Sequence, residues 1–216
     1  MRAPVSASDV EAVELSAATD APGQRAVASL LESWARRAVP GDSVSRARLL
    51  VAASEHAAFA GDARRSLRLA RRALATGDHV APDTRCYVVS ALLLCGHLRE
   101  ALALVEEVLA CRPADAEAYL ALGEELAWHD QQEAATRVWT AGLFRCAGDE
   151  EATEALLAAL RRSRGPARPV DVREGVDVRE GVDVRGGAGT CARVDVRDAP
   201  DVPVLPVLPA PAPALD

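Results

Sequence analysis

Between Ala47 and Asp149 the chain repeats itself every 34 or 35 residues, a period that few folds accept. A 35-residue block, Ala47–Ala81, is followed without a gap by two 34-residue blocks, Pro82–Asp115 and Ala116–Asp149. Small residues return at position 20 (Ser66, Ala101, Ala135), and position 27 holds Ala73, Val108 and Gly142. Position 24 holds Ala70, Val105 and Trp139, and position 15 holds Gly61, Gly96 and Asp130. Apolar residues recur at intervals of three and four, the helical period. Each block therefore reads as two helices split by a turn, Gly61-Asp62 or Cys95-Gly96, where glycine closes the first helix in a left-handed conformation. Ala or Gly on facing ridges lets two helices approach to the short end of the usual spacing of about 8–10 Å. Pro113 stops a second helix, since its ring clashes with the preceding turn and it has no N–H to donate. One such hairpin cannot hide its apolar side alone, so the hairpins must stack.

The third block opens with Tyr119, Leu122, Gly123 and Leu126 at positions 4, 7, 8 and 11, and the second carries Pro113 at position 32. With the residues at 20, 24 and 27, this pattern resembles the tetratricopeptide repeat family over 103 of the 216 residues. It departs from that family at Arg85 and Val89, positions 4 and 8 of the second block, and at Asp78 and Ala147, which replace the proline at 32. The resemblance implies an all-α fold, an antiparallel helix-pair solenoid wound into a superhelix, with a concave surface lined by the first helix of each pair. The lining stripe at positions 2, 5, 9 and 13 is Arg48, Val51, Glu55 and Phe59, then Asp83, Cys86, Ser90 and Leu94, then Glu117, Leu120, Glu124 and Trp128. It implies a protein partner, a peptide or helix held in that groove, with Phe59, Leu94 and Trp128 as apolar anchors; Trp is favoured at binding hot spots. Modules of this family that grip a C-terminal carboxylate use Lys and Asn, and this chain has neither. Glu55, Ser90 and Glu124 fill position 9 instead, so a basic or apolar segment is expected. The alternative use of the stripe is packing against a neighbouring helix or the N-terminal segment.

Composition divides the remainder. Residues 1–23 read as a flexible, polar segment, with Ser8 and Glu11 at capping-box spacing ahead of Val13 and Leu15 should a short helix form. Residues 24–46 read as a helix, 24–38, with Val27, Leu30, Leu31 and Trp34 on one side, and a linker. Residues 150–163 read as a C-terminal capping helix with Leu156, Leu157 and Leu160 inward, acids first and arginines last, as the helix dipole prefers. Eight of the 13 prolines and six of the 14 glycines lie in 164–216. Hexapeptide copies of Val-Asp-Val-Arg begin there at Val170, Val176 and Val182, and a proline-rich end follows, so this tail is expected to be disordered.

Several function classes are excluded by what is missing. The formal charge is −7, whereas nucleic-acid binding needs a basic face. All 25 basic residues are Arg, and Lys, Ile and Asn, the residues of A/T-rich codons, are absent, which points to a GC-rich bacterial genome. With only 3% aromatics the core must be Ala, Leu and Val. Neither a secretory signal nor a membrane span is visible. Five widely spaced cysteines without a Cys-x-x-Cys pair read as reduced thiols of a cytoplasmic protein. The histidines (56, 79, 97, 129) lack helical metal-ligand spacing, Cys95-Gly96-His97 falls at a turn, and Glu124-Glu125 with His129-Asp130 reads as surface charge. No catalytic residues, metal or cofactor are expected. The expectation is a non-enzymatic cytoplasmic scaffold or adaptor, with a small chaperone for an export or aggregation-prone client as the alternative.

Overall fold

The computed structural model describes residues 3–16, 19–37, 39 and 41–163. The hexapeptide copies and the proline-rich end lie outside the described residues, and so does the expectation of a disordered tail. Among the described residues all regular structure is helical: α1 (Ala7–Leu15), α2 (Ala21–Arg36), α3 (Arg46–Phe59), α4 (Ala63–Leu74), α5 (Thr84–Leu94), α6 (Leu98–Cys111), α7 (Ala116–Trp128), α8 (Gln132–Arg145) and α9 (Glu150–Ser163).

Short polar side chains set the starts. Ser45 accepts from the Arg48 amide at 3.1 Å, Asp62 from Arg65 at 3.0 Å, Asp115 from Glu117 at 2.8 Å and Asp149 from Ala152 at 3.0 Å. Each such cap contributes roughly 1 kcal/mol. The ends within each block are set by one turn used three times. Gly61, Gly96 and Asp130 all adopt positive φ (78°, 75° and 59°). The next amide then reaches back five residues, from Asp62 to Ala57, from His97 to Leu92 and from Gln131 to Leu126, at 2.8–2.9 Å. This is the Schellman closure, and Asp130 reaches it without glycine because Asp tolerates the left-handed region better than most residues.

These turns fold α3 onto α4, α5 onto α6 and α7 onto α8. Successive first helices also touch, α3 on α5, α5 on α7 and α7 on α9, while α2 packs along α3 and α9 along α8. Small residues fix the closest approaches. A Cβ on Gly123 would lie 2.1 Å from Trp139 Nε1, and one on Gly142 would lie 2.8 Å from the Tyr119 Cβ. Ala101 and Ala135 are fully buried. Two clusters form the interior, one mainly of α5 to α9 around Leu92, Leu122, Trp139 and Leu156 with Leu67 and Ala70 of α4, the other mainly of α2 to α4 around Leu31, Leu50 and Leu69 with Val10 of α1. The second helices are also linked by charge. Glu32 of α2 accepts from Arg65 at 2.9 Å and Arg72 at 2.7 Å, Arg71 pairs with Glu100, and Arg137 pairs with Glu106. Burial pushes the Glu32 carboxyl upward, but the hydrogen bonds from both arginines outweigh it and hold it below its ordinary value.

The N-terminal reading changes in three ways. Residues 1–23, read as flexible, contain α1, and its cap is Ser6 with Asp9 rather than Ser8 with Glu11. Val10 of α1 is buried in the α2–α4 cluster, which Val5, just ahead of the cap, also enters. Helix α2 starts at Ala21, ahead of Gln24, because Asp20 accepts from the Gly23 amide at 2.9 Å and Pro22 suits a first turn. Its buried face is Gln24, Val27, Ala28, Leu31 and Ala35, with Leu30 exposed.

The Gly123–Trp139 approach gives a direct test. Gly123→Ala should destabilise the protein by about 1–3 kcal/mol, read as a lower urea midpoint, because the added methyl overlaps the indole. The loss should shrink when Trp139 is also changed to Leu, a coupling that two independent sites would not show. A wild-type midpoint for Gly123→Ala would disprove the contact.

Candidate functional site

The row of first helices α3, α5 and α7 carries eleven of the twelve stripe residues, and the twelfth, Asp83, is the N-cap of α5. The last residues of these helices are Phe59, Leu94 and Trp128, and all three are exposed, by 73%, 41% and 84%. They occupy one position of three consecutive blocks. One turn earlier on the same helices stand Glu55, Ser90 and Glu124, and Glu117 is exposed at the start of α7. Ser90 and Leu120 are half-buried, Leu120 against the α5–α9 cluster.

Two stripe residues are corrected. Val51 is fully buried in the cluster that α1 and α2 enter, and Cys86 is buried with its thiol on the Ala118 carbonyl at 3.9 Å, so neither presents surface to a partner. A third, Asp83, is committed to local structure. It caps α5 by accepting from the Arg85 amide at 2.9 Å, and the Arg85 guanidinium closes on it at 2.6 Å. That hydrogen bond holds its carboxyl below the ordinary value. Two more have ionic partners that local spacing could not reveal, Arg48 with Glu14 of α1 at 3.2 Å and Glu124 with Arg162 of α9 at 3.3 Å.

The electrostatic centre of the face is Glu55. Its side chain keeps 44% of its surface, yet neighbouring helices crowd it enough that lost solvation raises its pKa to about 7. Arg48, 4.0 Å away, opposes that rise, while Glu14 of α1 and Glu125 of α7 add to it. Burial and the Glu55 charge push the Tyr87 hydroxyl up to about 12, and Glu117 acts in the same direction. Carboxylates of α1, α3 and α7 thus converge on one region. Sequence reasoning missed Glu14 and Tyr87 and read Glu125 only as surface charge; Glu125 and Tyr87 lie one residue off the stripe, and Glu14 lies 34 residues from Arg48.

Three further reactive groups, His56, Cys86 and Cys146, are taken up by packing. His56 is buried with Nδ1 2.6 Å from Gln24 Oε1, and its ring meets Phe59 edge-on at 6.2 Å. Burial pushes the Cys86 thiol up to about 12 and raises that of Cys146, which makes both poor nucleophiles. Among the described residues no group of three or more His, Cys, Asp or Glu is placed to hold a metal ion. A separate cleft of about 510 Å³ opens between the α4–α5 and α6–α7 connections, beside Leu74, Val80 and Pro113. The aspartates of that cleft are occupied by backbone amides, Asp78 by Ala47 at 3.2 Å and Asp115 by Glu117 at 2.8 Å.

No protein-family model, curated protein or solved structure matches the chain. Among the described residues no helix is long and apolar enough to cross a membrane.

The Glu55 environment predicts a pH effect. Between its ordinary value of 4.5 and about 7 the folded chain holds more proton at this site than the unfolded chain. Stability therefore falls as pH rises through that window, and the penalty is complete above it. Glu55→Gln should raise the melting temperature at pH 8 and leave it nearly unchanged at pH 4.5. His56, held below its ordinary value by burial, is present in both proteins, so the difference between them reports Glu55. A variant that melts no higher than wild type at pH 8 would refute the desolvated site.

Proposed function

We propose that this chain is a non-enzymatic interaction module of tetratricopeptide type. In this reading the helix pairs form a superhelical solenoid, and the row α3–α5–α7 is the face that holds a peptide or helix of another protein in the cytoplasm. The observation that carries it is the row Phe59, Leu94 and Trp128, three large apolar side chains left in water at one position of three successive blocks. Single exposed apolar residues are ordinary, but a repeated row of them is a contact surface. Glu55, Glu117, Glu124 and Glu125 give the same region an acidic character, which favours a partner segment with apolar and basic residues. The histidine and cysteines described above are occupied by packing, which supports a binding role over a catalytic one.

The test is capture of a partner from the native host, followed by titration. Trp128→Ala should weaken binding by about 2 kcal/mol or more if Trp128 is a hot spot. Glu124→Gln should mainly slow association, with added salt blunting the difference, because rim charges steer encounter more than they hold a complex. Both variants should keep wild-type helicity by circular dichroism, since both side chains are exposed. Wild-type binding by both would move the site off this face. Solubilising unrelated unfolded clients with no defined segment would point instead to a chaperone.

A further inference from the structure

Helix α1 has nine residues, and in water a helix below about 12–15 residues does not sustain itself. It therefore depends on the surface beneath it. A capping box of Ser6 and Asp9 starts it, and within it only Val10 is buried. Val5, just ahead, is also buried, and its backbone is tied at both ends, its amide to Asp42 at 2.8 Å and its carbonyl to the Ser43 amide at 3.0 Å. Four residues after Val10, on the same helical face, Glu14 takes Nη2 of Arg48 at 3.2 and 3.4 Å from its two oxygens. Its packing on α2 is light.

The place where α1 sits gives these contacts their meaning. Arg48 and Val51 are the first two stripe positions of the first block. Arg48 is held by Glu14, and Val51 lies in the cluster that Val5 and Val10 complete. Glu14 also reaches far enough along α3 to act on Glu55 and His56. The start of α3 is thus occupied, while Phe59 at its far end and Leu94 and Trp128 on α5 and α7 stay open. The two ends differ in charge as well: the α3 end sets Arg48 against Glu55, and the α7 end carries Glu117, Glu124 and Glu125.

We propose that the α3 end of this face is a docking site for a short acidic helix, occupied in cis by α1, and that α1 gives way to a partner segment of the same chemistry. Such a segment carries an aliphatic residue followed four positions later by a carboxylate for Arg48. The inference rests on the reading of this face as a partner site, and it adds a direction to it: the acidic helical part of the partner lies on α3, and its basic or apolar part lies toward α7. Because α1 is tethered, it competes at a high effective concentration, so only a segment that also engages Leu94 or Trp128 displaces it. This makes α1 a threshold for binding.

The experiment uses the full chain and a labelled peptide of residues 3–16. In the unmodified protein, amides of α1 should exchange with deuterium about a hundredfold or more faster than those of α3 and α5, the mark of an element that opens without global unfolding. In the full-length Val10→Asp/Glu14→Arg double variant, which releases α1, the wild-type peptide should bind in trans about tenfold or more tighter than it binds the unmodified chain. A Glu14→Arg peptide should bind that same released chain about tenfold or more weaker, because its charge then repels Arg48. Exchange of α1 at the rate of α3, or no peptide binding to a folded released chain, would overturn the proposal and make α1 a fixed cap on the helix stack. If the double variant does not fold, the exchange comparison on the unmodified chain decides alone. None of these readouts involves a captured partner, so they can fail while Trp128 still proves essential for capture, and the reverse.

Discussion

The indole of Trp139 fills the space that a side chain on Gly123 would need, and the rest of the C-terminal half is arranged around that approach. Gly142 against the Tyr119 Cβ is a second close approach between the same two helices. Together they draw α7 and α8 closer than bulkier residues allow, and the remaining sides of α7 are then free for α5 and α9. A core of Ala, Leu and Val gains its burial from many short contacts, so spacing matters more here than in a core of large rings. The indole N–H finds no protein hydrogen-bond partner, a cost accepted for that fit.

Charge is used differently on the two rows of helices. Between second helices Arg and Glu meet in pairs, from Glu32 with Arg65 and Arg72 to Arg137 with Glu106. Most of these are half-exposed and contribute little stability each, but they leave few second-helix carboxylates uncompensated. On the first helices the carboxylates outnumber their partners, and Glu55 keeps an elevated pKa because burial strips it of solvent and Arg48, which also pairs with Glu14, does not offset the loss. A group held at a cost to stability is where a binding role is best sought.

The occupied α3 end and the open α7 end give the face two kinds of surface. One has been satisfied by the chain itself, through Val10 and Glu14. The other still exposes Trp128 beside a carboxylate one turn away. A partner that reads both must be apolar throughout and change its charge along its length.

The sequence by itself determined that the middle of the chain is helical, where the helices stop, and which small residues stand at crossings. Those properties are local or periodic: a left-handed turn at Gly61 and Gly96, a capping aspartate, an Ala or Gly returning every 34 residues. It also indicated that Phe59, Leu94 and Trp128 share a position, since equal phase means equal direction from the helix axis. Tertiary structure alone decided which of the stripe residues are surface. Val51 is lost to a cluster completed from residues 5 and 10, Cys86 to the carbonyl of Ala118, and Arg48 to Glu14, partners 32 or more residues away. The capping box at Ser6 and Asp9, rather than Ser8 and Glu11, likewise appears only in the structure, which buries Val5 and Val10 on either side of it. Periodicity reports how one helix distributes its faces; it carries no record of which distant segment arrives to cover them.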